Sequence, residues 1–163
     1  MTKLTFYCIC AIVLLISSCN HSAEKTNQPL PEKEKELRDQ VTQFPDSTLT
    51  WENLIQYFRE NGNYDQALLE TNIAIKKDSL NDRFQDIKAT LHFENGDTLQ
   101  AVQCFERAIA INPKIEYIIS LGSLYAEIKN PKALFLADAL LSAKGYRAET
   151  QALFIKGLYF SYT

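Results

Sequence analysis

Residues of one type return along this chain at a spacing of 34. Gly62 returns as Gly96, Ala67 as Ala101 and Ala74 as Ala108. Pro45 and Pro113 stand two periods apart, with Ser79 midway. The stretch Gly62-Asn63-Tyr64-Asp65-Gln66-Ala67 reads in parallel with Gly96-Asp97-Thr98-Leu99-Gln100-Ala101. A period of this length fits a unit of two helices joined by a turn. One such unit cannot bury its own apolar face, so successive units must stack and share a core.

The punctuation is the same in the first two units. A glycine can end the first helix in the left-handed conformation, and the Asn or Asp after it can cap the second. On this frame, residues 32–47 form a leading cap or partial unit, with Leu37, Val41 and Phe44 on one side of a charged helix. The first full unit covers 48–81. Trp51, Leu54, Ile55 and Phe58 mark its first helix, and Ala67, Thr71 and Ala74 its second. The second unit covers 82–114. Its first helix is weakly marked by Gln85, Lys88, Ala89 and His92, and its second strongly by Ala101, Phe105, Ala108 and Pro113. The third covers 115–148, with Leu121, Gly122 and Tyr125, then a shorter turn in which Asn130 caps and Pro131 opens the next helix. That helix carries Ala133, Ala137 and Leu140 to about Lys144, and Gly145 closes it. Residues 149–163 repeat a first helix through Leu153, Gly157 and Phe160.

These positions resemble the tetratricopeptide repeat (TPR), whose first helix follows the pattern W-x2-L-G-x2-Y. Ile55 stands where the pattern has Gly, and Thr71 where it usually has Phe. The resemblance spans residues 32–163 and implies an all-α, right-handed superhelix (α-solenoid) of antiparallel helix pairs. It also implies a concave groove lined by the first helices. Carried over by position, the groove takes Glu52, Gln56 and Arg59 from the first unit and Arg83, Asp86, Thr90 and Phe93 from the second. Ile119 and Ser123 follow from the third, and Phe154 and Leu158 from the last helix. The floor is charged at one end and apolar at the other. The Lys and Asn clamp that some relatives use for a terminal carboxylate has no counterpart, so that mode of recognition is not expected.

The N-terminus reads as an address. Lys3 precedes an apolar run from Phe6 to Ile16, which has the length of a signal-peptide core and is too short to span a bilayer. Ile16-Ser17-Ser18-Cys19 then resembles a bacterial lipobox. This makes 1–18 a lipoprotein signal and Cys19 the lipidated first residue of the mature chain. An ordinary secretory signal and a short core helix are the alternatives. Residues from Asn20 to Pro31 are polar and suit a tether. The expected location is the bacterial cell envelope, on the outer rather than the inner membrane.

The chemistry is sparse. Cys8 and Cys10 leave with the signal and Cys19 is spoken for, so Cys104 is the one thiol of the repeat region and reads as a small core residue. No zinc spacing, phosphate loop or nucleophile motif occurs, so no cofactor and no catalytic set are expected. His92 reads as a packing residue, and Glu70, Asp78, Glu94 and Asp97 as solvated or capping carboxylates. The chain has 17 basic and 20 acidic residues. That balance argues against nucleic acid as a partner. The expected partner is a protein or peptide segment in the groove. Two readings compete with a scaffold: part of a longer repeat array, or the non-catalytic part of an enzyme. The last helix carries Phe154, Ile155, Leu158, Tyr159, Phe160 and Tyr162 with little to bury them against, so self-association through 149–163 is also expected.

Overall fold

The computed structural model describes residues 30–142 and 145–163. The proposed signal, Cys19 and the tether up to residue 29 lie outside them. Residues 31–163 form one compact unit. Among the described residues there are eight α-helices: α1 (Glu32–Gln43), α2 (Thr48–Glu60), α3 (Tyr64–Lys77), α4 (Asp82–Glu94), α5 (Thr98–Ile111), α6 (Ile115–Glu127), α7 (Lys132–Ser142) and α8 (Tyr146–Tyr162). Each helix packs against the next in order, and α6 also packs on α8. This is an all-α solenoid of helix pairs.

The turns explain why the pairs form. After α2, the Gly62 amide donates to the Arg59 carbonyl at 3.0 Å and the Asn63 amide to the Phe58 carbonyl at 2.9 Å. Those two bonds are a Schellman stop, which needs a left-handed residue at Gly62, and its φ is +70°. Asn63 then accepts from the Gln66 amide at 3.1 Å and so caps α3. Gly96, with φ of +81°, and Asp97 repeat both halves between α4 and α5. The third turn uses the same bonds without a glycine. Lys129 donates to the Ala126 carbonyl and Asn130 to the Tyr125 carbonyl, and Lys129 carries a φ of +58°.

Packing follows the small residues. Ala67, Ala74, Ala101, Ala108, Ala133 and Ala137 are all fully buried. A residue without bulk lets two helix backbones approach, and larger side chains fill the flanks. Trp51, Leu54, Ile55 and Phe58 form one apolar cluster with Leu37, Val41, Phe84 and Leu91. Leu121, Leu124, Tyr125, Leu140 and Ile155 form a second with Phe105 and Cys104. The Trp51 indole also donates to the Pro45 carbonyl at 2.9 Å, which leaves its one polar atom satisfied.

Several expectations change. Phe44 is exposed, because the chain turns away at the end of α1. Glu70 is neither solvated nor capping. It is buried in mid-helix and accepts from Arg38 of α1 at 2.8 Å and from Gln66 at 2.8 Å. Arg38 also lies 5.4 Å from the centre of the Phe58 ring, so one guanidinium ties α1 to two helices. Pro131 precedes α7 rather than opening it: Leu134 donates to the Pro131 carbonyl in a tighter three-residue turn. Gly145 stands at the start of α8, where its carbonyl accepts from the Glu149 amide at 2.9 Å. α8 therefore begins at Tyr146, before Glu149. Ile155 does not lack surface. It is fully buried against α6, where its Cδ1 occupies the notch left by Gly122. Behind it, Leu140 is buried, Leu136 is partly buried and Leu141 remains exposed.

Candidate functional site

The first helices of the pairs, α2, α4, α6 and α8, carry the residues expected to line a groove. The structure gathers them into two depressions that meet at Thr90.

The first depression lies between α2 and α4 and has a volume of about 280 Å³. It takes Glu52, Gln56 and Arg59 from α2 and Arg83, Asp86 and Thr90 from α4. Its charges are already paired. Arg59 donates to both carboxylate oxygens of Glu94, from Nε at 2.7 Å and from Nη2. Arg83 donates to Glu52 at 2.8 Å and to Asp86 at 2.7 Å. Gln56 accepts from Arg59 at 3.1 Å and donates to Glu60 at 2.9 Å. Hydrogen bonds to Glu94 raise the Arg59 pKa, and those to Glu52 raise that of Arg83. Burial pushes the Asp86 carboxyl above its usual range, with Arg83 pulling it back. A ligand carboxylate or ammonium entering here would have to displace an existing partner. The charged end of the groove is therefore a strut between α2 and α4.

The second depression is apolar, with a volume of about 480 Å³. Phe93 reaches in from α4, Ile119 and Ser123 from α6, and Phe154 and Leu158 from α8. Phe93 and Phe154 are both exposed. Among the described residues, Glu127 at the rim makes no ion pair or side-chain hydrogen bond. A bulky apolar side chain would find a site here without disturbing any bond.

The expected groove residues thus line these two hollows: Glu52, Gln56, Arg59, Arg83, Asp86 and Thr90 the first, and Thr90, Phe93, Ile119, Ser123, Phe154 and Leu158 the second. Position alone missed the floor at Phe105 and Leu124 and the rim at Ser120, Glu127 and Gln151. It also missed that Arg59 and Arg83 are tied up. Opposite charges about one period apart, Arg59 with Glu94 and Glu52 with Arg83, carried that signal. His92 is partly buried, as a packing residue should be, with Nδ1 3.7 Å from Asp97. Burial lowers its pKa, against a smaller pull from Asp97.

The fold is an all-α solenoid of helix pairs, similar to that of tetratricopeptide-repeat proteins. Among solved structures, the chain is similar to a tetratricopeptide repeat protein from Parabacteroides merdae, with a TM-score of 0.63 and 24% identity over 79% of this chain. It is also similar to two crystal structures of MamA, each 21% identical, with TM-scores of 0.59 and 0.60. These cover 78% and 77% of this chain, and 74% and 78% of the MamA chains. The chain spans about half, 53%, of the Parabacteroides merdae protein. No family sequence model and no curated sequence matches it. Among the described residues, no helix is long and apolar enough to cross a membrane.

Proposed function

We propose that this protein is a non-enzymatic scaffold that binds a protein segment in the groove between α4, α6 and α8. One observation carries the reading: the charged side chains of one half of the groove are hydrogen-bonded to one another, while the apolar half stands open. The bound segment lies across the first helices and anchors itself with a bulky apolar side chain between Phe93 and Phe154. Solenoids of this kind present extended concave surfaces for such contacts. The lipobox at Cys19 and the polar stretch after it support a tethered domain on an envelope membrane, the outer one in the simplest case, where it positions or assembles other proteins. The apolar face of α8 offers a second contact surface, and mass against concentration by light scattering measures whether it joins two copies.

Selection of displayed peptides on the full chain tests the groove. The selected peptides should carry Phe, Trp, Leu or Met at a fixed position. Phe93→Glu or Phe154→Glu should weaken them by about tenfold or more, because each puts a charge into the anchor site. Arg59→Ala should leave them nearly unchanged. Peptides that bind Phe93→Glu as well as the parent, or that need Arg59, would overturn the apolar-anchor reading. Labelling with a palmitate analogue, with Cys19→Ser as control, tests the anchor: an unlabelled parent protein would remove it.

A further inference from the structure

Glu60, Glu94 and Glu127 end α2, α4 and α6 at matching positions of the repeat. A carboxylate there faces the partial negative charge of a helix C-terminus, which costs stability unless a donor offsets it. Glu60 accepts from Gln56 at 2.9 Å. Glu94 accepts two bonds from the Arg59 guanidinium of the preceding first helix, one of them from Nε at 2.7 Å. Arg59 stands one position before Glu60, and the residue in its register on α4 is Phe93. The junction of α4 with α6 therefore repeats that of α2 with α4, with an exposed phenyl ring where the arginine was. Among the described residues, Glu127 has no ion pair or side-chain hydrogen bond, and it is the one charged side chain lining the second hollow.

We infer that the second hollow selects a partner segment with an arginine beside its bulky apolar anchor, and that Glu127 receives the arginine. The inference rests on the groove reading above and adds the polar half of the recognised motif. The incoming guanidinium takes the place that Arg59 holds against Glu94. Two N–H donors meet one carboxylate there, a match made by arginine's planar fork and not by lysine's ammonium. The Phe93 ring supplies an aromatic surface beside it. Ser123, one turn before Glu127 on α6, lines the same hollow, and its hydroxyl can accept a further N–H. Binding also offsets the bare carboxylate at the end of α6. An acidic segment is disfavoured, because no cation lines the second hollow. The helices that set this site, α4 and α6, both have further helices before and after them, so the site does not depend on where the sequence ends.

A random peptide library displayed on phage, selected in parallel on the full chain and on its Glu127→Arg variant, tests this. The parent should enrich peptides with an arginine at a fixed offset from a Phe, Trp, Leu or Met. The variant should keep the apolar residue and exchange the arginine for Asp or Glu. The best parent peptide is then titrated by fluorescence anisotropy. Replacing its arginine by alanine should weaken binding about fivefold, the scale of a partly exposed ion pair, and lysine should recover only part of the loss. Glu127→Gln should weaken the parent peptide by a similar factor and abolish the difference between the arginine and alanine peptides, the sign that the two groups act as one pair. The same substitution should leave the melting temperature of the free protein unchanged or raised, since it removes a carboxylate from a helix C-terminus. Peptides with a fixed apolar residue and no enriched arginine would overturn this inference and leave the groove reading standing. Arginine that persists on Glu127→Arg would assign the cation to another carboxylate and overturn it too. Peptides with no fixed apolar residue, or no selected peptides, would remove the groove reading and this inference with it.

Discussion

Lys129 shows how a backbone position can outrank the residue placed in it. The turn after α6 makes the same two Schellman bonds as those at Gly62 and Gly96, so it demands a left-handed residue, and Lys129 meets the demand at φ +58°. For a residue with a Cβ that conformation costs about 1–2 kcal/mol. Lys129→Gly should therefore raise stability by about 0.5–1 kcal/mol, after glycine's larger unfolded-state entropy is subtracted. Urea denaturation measures it, and a loss of stability would show that the lysine side chain contributes more than its backbone costs. Asp82 is the other residue whose role depends on distant chain. Burial alone would raise its pKa. Hydrogen bonds from Lys114 at 2.5 Å, Tyr117 at 2.6 Å and Asn112 at 3.4 Å outweigh that and lower it. A carboxyl with a lowered folded pKa stabilises above its unfolded value of about 3.9, and the gain is lost as pH falls through the folded value. Asp82→Asn should lower the melting temperature at pH 7. The deficit should close on the acid side of about pH 4, and a deficit constant with pH would mean the charge is not what matters.

At the scale of elements, glycine marks two different things in matching positions. Gly122 and Gly157 hold the same place in the repeat. A Cβ built at Gly122 would stand 2.7 Å from Ile155 Cδ1, whereas one built at Gly157 would meet nothing within 4 Å. The first glycine is a socket for the next first helix, and the second is a socket left empty. Gly122→Leu should push α8 off α6 and cost about 1–3 kcal/mol by overpacking. Gly157→Ala should be neutral or slightly stabilising, since alanine favours helix. Equal effects at the two sites, read by thermal melting, would mean α8 does not dock through Ile155. α4 is the element whose marks were weakest in sequence. Helices pack on it from both sides, so it buries Phe84, Gln85, Ala89 and Leu91 around more than one face. That spread blurs the single apolar stripe by which a helix is read.

At the scale of the whole molecule, the apolar interior divides into two clusters that meet on α4. Leu91 belongs to the cluster of α1–α4, and Ala89 to the cluster of α4–α8. In a solenoid, stability sums over units and their interfaces, so damage need not spread evenly. Leu91→Ala leaves a cavity at a fully buried site and should cost about 2–5 kcal/mol. Hydrogen exchange should then rise in α1 to α3 while α6 and α7 stay protected. Uniform loss of protection would show that the two clusters unfold as one.

The period of 34, the glycine stops at Gly62 and Gly96, the Asn63 and Asp97 caps and the alanines of the second helices could all be read without coordinates. Each is a local backbone or size requirement, and local requirements leave their mark on the residue that meets them. Which residues line the two hollows could be read too, because helical phase within a repeat decides which way a residue faces. What they do there could not. Whether Arg59 and Arg83 are free for a ligand depends on Glu94 and Glu52, which lie on the neighbouring first helix. Whether Ile155 is bare or buried depends on a notch at Gly122, and whether Glu70 is solvated depends on Arg38 of α1. Charge pairing and burial belong to two chain segments at once, so they are decided only when stacking brings those segments together.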